Sequence, residues 1–70
     1  MPQFDAKLVQ LMRAALEETM TRVPIEYSTP ATKAYLAECI LKAAAAGQTS
    51  YDALMAAAAE HMPAALTLLV

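Results

Sequence analysis

The sequence predicts an all-α fold: a three-helix bundle with a tight αα-hairpin, with helices over about 5–22, 30–46 and 50–69. Three observations lead there. Apolar residues recur at helical spacing through three segments. Proline and glycine punctuate the joints between those segments. Seventy residues leave room for one domain, 1–70, and no second core.

In chain order, residues 1–3 read as a loose end. Asp5 is a candidate N-cap, and Phe4 before it is placed to pack on Val9 across the helix start. Leu8, Leu11, Met12, Ala15, Leu16, Thr19 and Val23 form one stripe, with Lys7, Gln10, Arg13, Glu17 and Glu18 largely off it. Pro24 disfavours helix at Val23 and closes the first helix. Residues 23–28 form the one real loop. Ile25 and Tyr27 alternate with polar neighbours there, so they are expected to plug the end of the core while Glu26 stays wet.

Residues 29–52 carry the plainest signals, TPATKAYLAECILKAAAAGQTSYD. Thr29 can cap the second helix, and Pro30 at its first position loses no hydrogen bond. Leu36, Ala37, Ile40, Leu41 and Ala44 mark the expected buried face, while Lys33, Glu38 and Lys42 belong to the wet side. Glu38 to Lys42 is the favourable i,i+4 orientation. Gly47 supplies a left-handed stop. Residues 49–52, Thr-Ser-Tyr-Asp, resemble a capping box with aspartate in place of glutamate. So short a link makes the two helices antiparallel neighbours. Counting outward from Gln48 sets Ile40 against Ala56 and Ala37 against Ala59, large opposite small, which favours close axes.

The run Thr29-Pro30-Ala31, then residues 37–44 (AECILKAA), then residues 47–52 (GQTSYD), resembles small uncharacterised helical proteins of bacterial genomes. The resemblance implies a bacterial, cytoplasmic origin and carries no activity.

In the third helix, Tyr51, Leu54, Met55, Ala58 and Met62 share a face. Pro63 either kinks this helix or starts a short fourth one; the continuing alanine and leucine favour one kinked helix to about residue 69. The chain ends on Leu66, Leu68, Leu69 and Val70, apolar side chains expected to dock on a neighbouring subunit.

Composition bounds function. A chain this size buries about 6,600 Å² on folding, roughly 60 % of its unfolded surface, which is marginal for a lone domain. A single cysteine, Cys39, forms no internal disulfide, and the sequence shows no metal motif, so oligomerisation is the remaining support. Apolar residues reach 59 % and charged residues only 17 %. That excess points to a homo-oligomer, by default a homodimer. All five Lys and Arg lie within residues 1–42 and the net charge is −2. Nucleic-acid binding needs clustered positive charge, so no nucleic-acid partner is expected. Charges interrupt residues 1–20 and rule against a signal peptide. Glu60, His61 and Pro63 argue against a membrane span over 53–70.

No catalytic site, cofactor or metal site is expected. His61 lacks further ligands at helical spacing. Cys39 comes within conceivable reach of His61 across the hairpin, yet no third member or oxyanion device accompanies them. The expectation is therefore a non-enzymatic, self-associating protein–protein interaction module, with a partner helix as a further occupant. The alternative is a small-ligand-binding or regulatory protein with an apolar pocket between helices or subunits. Candidate interface residues are Tyr35, Tyr51, Met55, Met62, Leu66, Leu69 and Val70.

Overall fold

A computed structural model gives the fold, and the structure describes residues 4–68. Its elements are α1 (Ala6–Arg22), a 3₁₀ turn (Ile25–Tyr27), α2 (Pro30–Ala45) and α3 (Tyr51–Leu68). The expected three-helix, all-α architecture is what the chain adopts. The residues 1–3 read as a loose end, and Leu69 and Val70 of the expected docking tail, lie outside the described residues.

Local chemistry fixes the helix ends. Asp5 Oδ1 accepts the Leu8 N–H at 2.7 Å and starts α1. Val23 is extended ahead of Pro24 and stops it. Thr29 Oγ1 accepts the Thr32 N–H at 3.2 Å, with Pro30 opening α2. At the far end Gly47 takes φ 104°. The Gly47 N–H reaches the Ala44 carbonyl at 3.0 Å and the Gln48 N–H the Ala43 carbonyl at 2.9 Å. That pair of reversed bonds is the Schellman motif.

The start of α3 corrects the expected capping box. Ser50 Oγ, rather than Thr49, accepts the Ala53 N–H, at 3.1 Å. The Schellman turn engages Gln48, so the chain needs Thr49 as a further linking residue before it can turn into helix. Asp52 still lies in the first turn, where the helix dipole favours an acid. Pro63 falls inside α3, which continues as one helix rather than splitting.

The three helices run up, down and up, each touching the other two. Ala15, Ile40, Ala44, Leu54 and Ala58 form one buried cluster, at the end where α1 and α3 begin and α2 finishes. Val23, Leu36 and Ala65 form a second at the opposite end. Leu16 packs against both clusters and joins them. Thr19 and Thr32 are the buried polar side chains. Thr19 Oγ1 donates to the Ala15 carbonyl at 2.7 Å, and the Thr32 hydroxyl lies 3.2 Å from that of Thr29. Every buried side-chain N or O among the described residues has a hydrogen-bond partner.

Three packing expectations need correction. Ile25 is 88 % exposed and plugs nothing. A 3₁₀ turn sets successive side chains about 120° apart, so residues 25 and 27 diverge where an extended chain would align them. Val23 and Tyr27 fill that end instead. Leu41 is 43 % exposed, because the buried row of α2 is Thr32, Leu36, Ile40 and Ala44, strictly four apart. Leu41 lies about 100° around the helix from Ile40. Ala56 and Ala59 are exposed, and Ile40 clusters with Leu54 and Ala58 instead. Residue 56 is midway between these two, so counting from the link captured the level along the axis and missed the helix rotation.

These placements separate two isoleucine- and leucine-to-alanine changes sharply. Leu36→Ala should destabilise by about 2–5 kcal/mol, whereas Ile25→Ala should stay within about 0.5 kcal/mol of the parent. Urea unfolding followed by circular dichroism measures both, and equal losses would contradict the assignment.

Candidate functional site

Two openings flank α2, one along each of its seams. The larger, of about 500 Å³, lies between α1 and α2. Val9, Met12 and Leu16 wall it from α1, and Ala34, Ala37, Ile40 and Leu41 from α2. Arg13 and Glu38 stand on its opposite rims as the charged lining residues.

The exposed ion pair Lys33 Nζ–Glu17 Oε1, 3.4 Å, bridges the two helices at one end of this groove and marks their register. The helices are antiparallel, so one turn further along Arg13 is level with Ala37 and Glu38. Another turn sets Val9 level with Leu41. Glu38 is engaged within its own helix, its Oε1 3.3 Å from Lys42 Nζ, as the spacing predicts. Arg22 pairs likewise with Glu18 at 3.5 Å. Arg13 has no carboxylate within salt-bridge distance among the described residues.

The smaller opening, of about 340 Å³, lies between α2 and α3. Tyr35, Glu38, Cys39, Lys42 and Ala43 line it from α2, with Ala57 and His61 opposite. The hairpin thus brings Cys39 and His61 to one cleft. Cys39 is a half-buried free thiol. Burial pushes its pKa up, against smaller downward pulls from a Tyr35 hydrogen bond and from Lys42, with Glu38 adding the smallest upward push. The net rise disfavours the thiolate, the reactive form. Among the described residues no group of three or more His, Cys, Asp or Glu side chains is placed to hold a metal ion.

The candidate interface residues of the sequence are largely turned inward. Tyr51 and Met55 pack on the first core cluster. Tyr35, Met62 and Leu66 pack on the second. All five are half-buried by their own chain, and Leu69 and Val70 lie outside the described residues. The groove residues Val9, Arg13 and Leu41 went unmarked as a site, because Leu41 reads as core and Arg13 as solvated surface. A usable signal was present: Val9 and Leu41 each flank a buried stripe, and the antiparallel register brings those flanks together.

Cys39 offers a direct check on the smaller cleft. At about pH 8, where an ordinary thiol is partly ionised, iodoacetamide should alkylate the folded chain more slowly than the urea-unfolded chain. Tyr35→Phe should slow the folded reaction further, since the hydrogen bond it removes lowers the pKa. Equal folded and unfolded rates would contradict this. No protein-family model, curated protein or solved structure matches the chain, so the functional reading rests on the surfaces just described.

Proposed function

We propose that the protein is a non-enzymatic helical interaction module that acts by self-association, using the α1–α2 groove as its contact surface. The observation that carries this reading is the groove's lining. Four of its side chains are larger than alanine, apolar and at least partly exposed, Val9, Met12, Leu16 and Leu41, and they share one seam open to solvent above the buried Ile40. Contiguous apolar surface of this kind on a small domain marks interaction sites, and a helical groove suits a helical partner. The interface expected on α3 is the weaker choice, because none of its described candidate residues is as exposed as Leu41. α3 also carries no Lys or Arg, which leaves it poorly suited to a nucleic-acid phosphate backbone. Among the described residues no helix is long and apolar enough to cross a membrane.

A second reading is small-ligand binding in the α2–α3 cleft. Its volume of about 340 Å³ falls at the small end of ligand sites. A native mass spectrum carrying a co-purified small molecule would favour this reading, and a bare chain mass would count against it.

Sedimentation equilibrium tests the leading reading. At about 50 µM, where a micromolar association is nearly complete, the full chain should sediment as a dimer. Leu41→Asp, a change at a partly exposed groove wall, should sediment as a monomer with its helical circular dichroism retained. A monodisperse monomer of the unchanged chain would overturn the proposal.

A further inference from the structure

Resting on the self-association reading, we infer the arrangement of the two copies: their grooves face each other about a twofold axis parallel to the helices, with Arg13 of each chain paired to Glu38 of the other. Two copies meeting face to face are related by a twofold axis lying in the contact plane. Along a two-helix face, that axis runs either with the helices or across them.

An axis across the helices lays α1 on α1 and α2 on α2. Taken through the middle of the groove, it sets Arg13 near Arg13 and Glu38 near Glu38, and Met12 against its own copy. Like charges would meet at both rims, and like charges facing each other are costly at an interface.

An axis along the groove lays α1 of each copy on α2 of the other, and keeps every residue at its own level. The register marked by the Lys33–Glu17 pair then has three consequences. Leu16 lies over Ala34 and Met12 over Ala37, large side chains on small ones. Val9 lies over Leu41. Arg13 comes level with Glu38 twice, once at each rim. Arg13 is free to make that pair, because no carboxylate of its own chain among the described residues is within salt-bridge distance. The four helices that result form a square bundle whose interior is the two grooves.

The area is sufficient. The α1–α2 face is one of three sides of a bundle that also has two ends, so it offers roughly a quarter of the chain's 4638 Å², against the roughly 800 Å² each partner contributes to a standard interface.

Charge reversal tests the pairing. Arg13→Glu and Glu38→Arg each place two like-charge pairs in the dimer, so each variant alone should self-associate at least about tenfold more weakly than the parent at low salt. An equimolar mixture of the two variants restores both attractive pairs, and should form a heterodimer within about threefold of the parent affinity. Circular dichroism and thermal unfolding of each variant exclude misfolding as the cause. If both variants dimerise like the parent, or if the mixture fails to rescue, the pairing is overturned while self-association stands. A heterodimer much tighter than the parent homodimer would indicate the crosswise axis, where only the mixture turns like-charge pairs into attractive ones, and would overturn the inference. A monomeric parent chain removes both the inference and the reading beneath it.

Discussion

Everything in this fold depends on how closely its three helices approach. Among the described residues, half of the buried apolar positions are alanine: Ala15, Ala44, Ala58 and Ala65, beside Val23, Leu36, Ile40 and Leu54. Alanine at a contact lets helix axes draw together, and it does so without loss of side-chain entropy. A thin core follows. The larger side chains Leu8, Leu11, Met12, Leu16, Met20, Met55 and Met62 find no room in the centre and lie along the seams, half-buried. The chain's apolar excess is therefore carried at the edges of the bundle, where it widens one seam into an apolar groove.

α2 organises both surfaces. Its i,i+4 row, Thr32, Leu36, Ile40 and Ala44, faces inward. Residues on either side of that row then line the two seams: Ala37 and Leu41 toward α1, Tyr35 and Cys39 toward α3. Chemistry divides along the same line. The α3 side collects Tyr35, Cys39, Lys42 and His61, polar groups around a thiol whose pKa burial raises, with Glu38 shared between the two openings. The α1 side collects aliphatic and methionine side chains with one charge of each sign. A surface that carries both signs and both large and small apolar residues in register is complementary to a copy of itself, which is what an isologous contact demands.

Much of this was legible in the residues. Caps and stops are local chemistry, so Asp5, Thr29, Pro30 and Gly47 mark helix ends without reference to any neighbour. The antiparallel hairpin follows from a link too short to do otherwise. What the sequence concealed depends on rotation and on tertiary choice. Leu41 and Ile40 are equally apolar, and only the packing of α1 and α3 decides that Ile40 turns inward. Thr32 is buried because its hydroxyl has the cap residue Thr29 as a partner, which hydrophobic periodicity does not register. Ile25 misleads for a related reason: a single 3₁₀ turn replaced the extended geometry that its alternation suggested. The candidate interface residues of the sequence are large, mostly apolar side chains, a property that core and contact surface share. Arg13 was legible only as a solvated charge until the register of α1 on α2 was known.

The central claim is that the α1–α2 groove is closed by the same groove of another copy. Isotope-filtered NOE spectroscopy on a mixture of labelled and unlabelled chains addresses it most directly. The account predicts intermolecular contacts between the methyl groups of Leu41 and Val9, and between Met12 and Ala37. Intermolecular contacts confined to Met62 and Leu66 on α3, or none from any groove methyl in a dimeric sample, would contradict it.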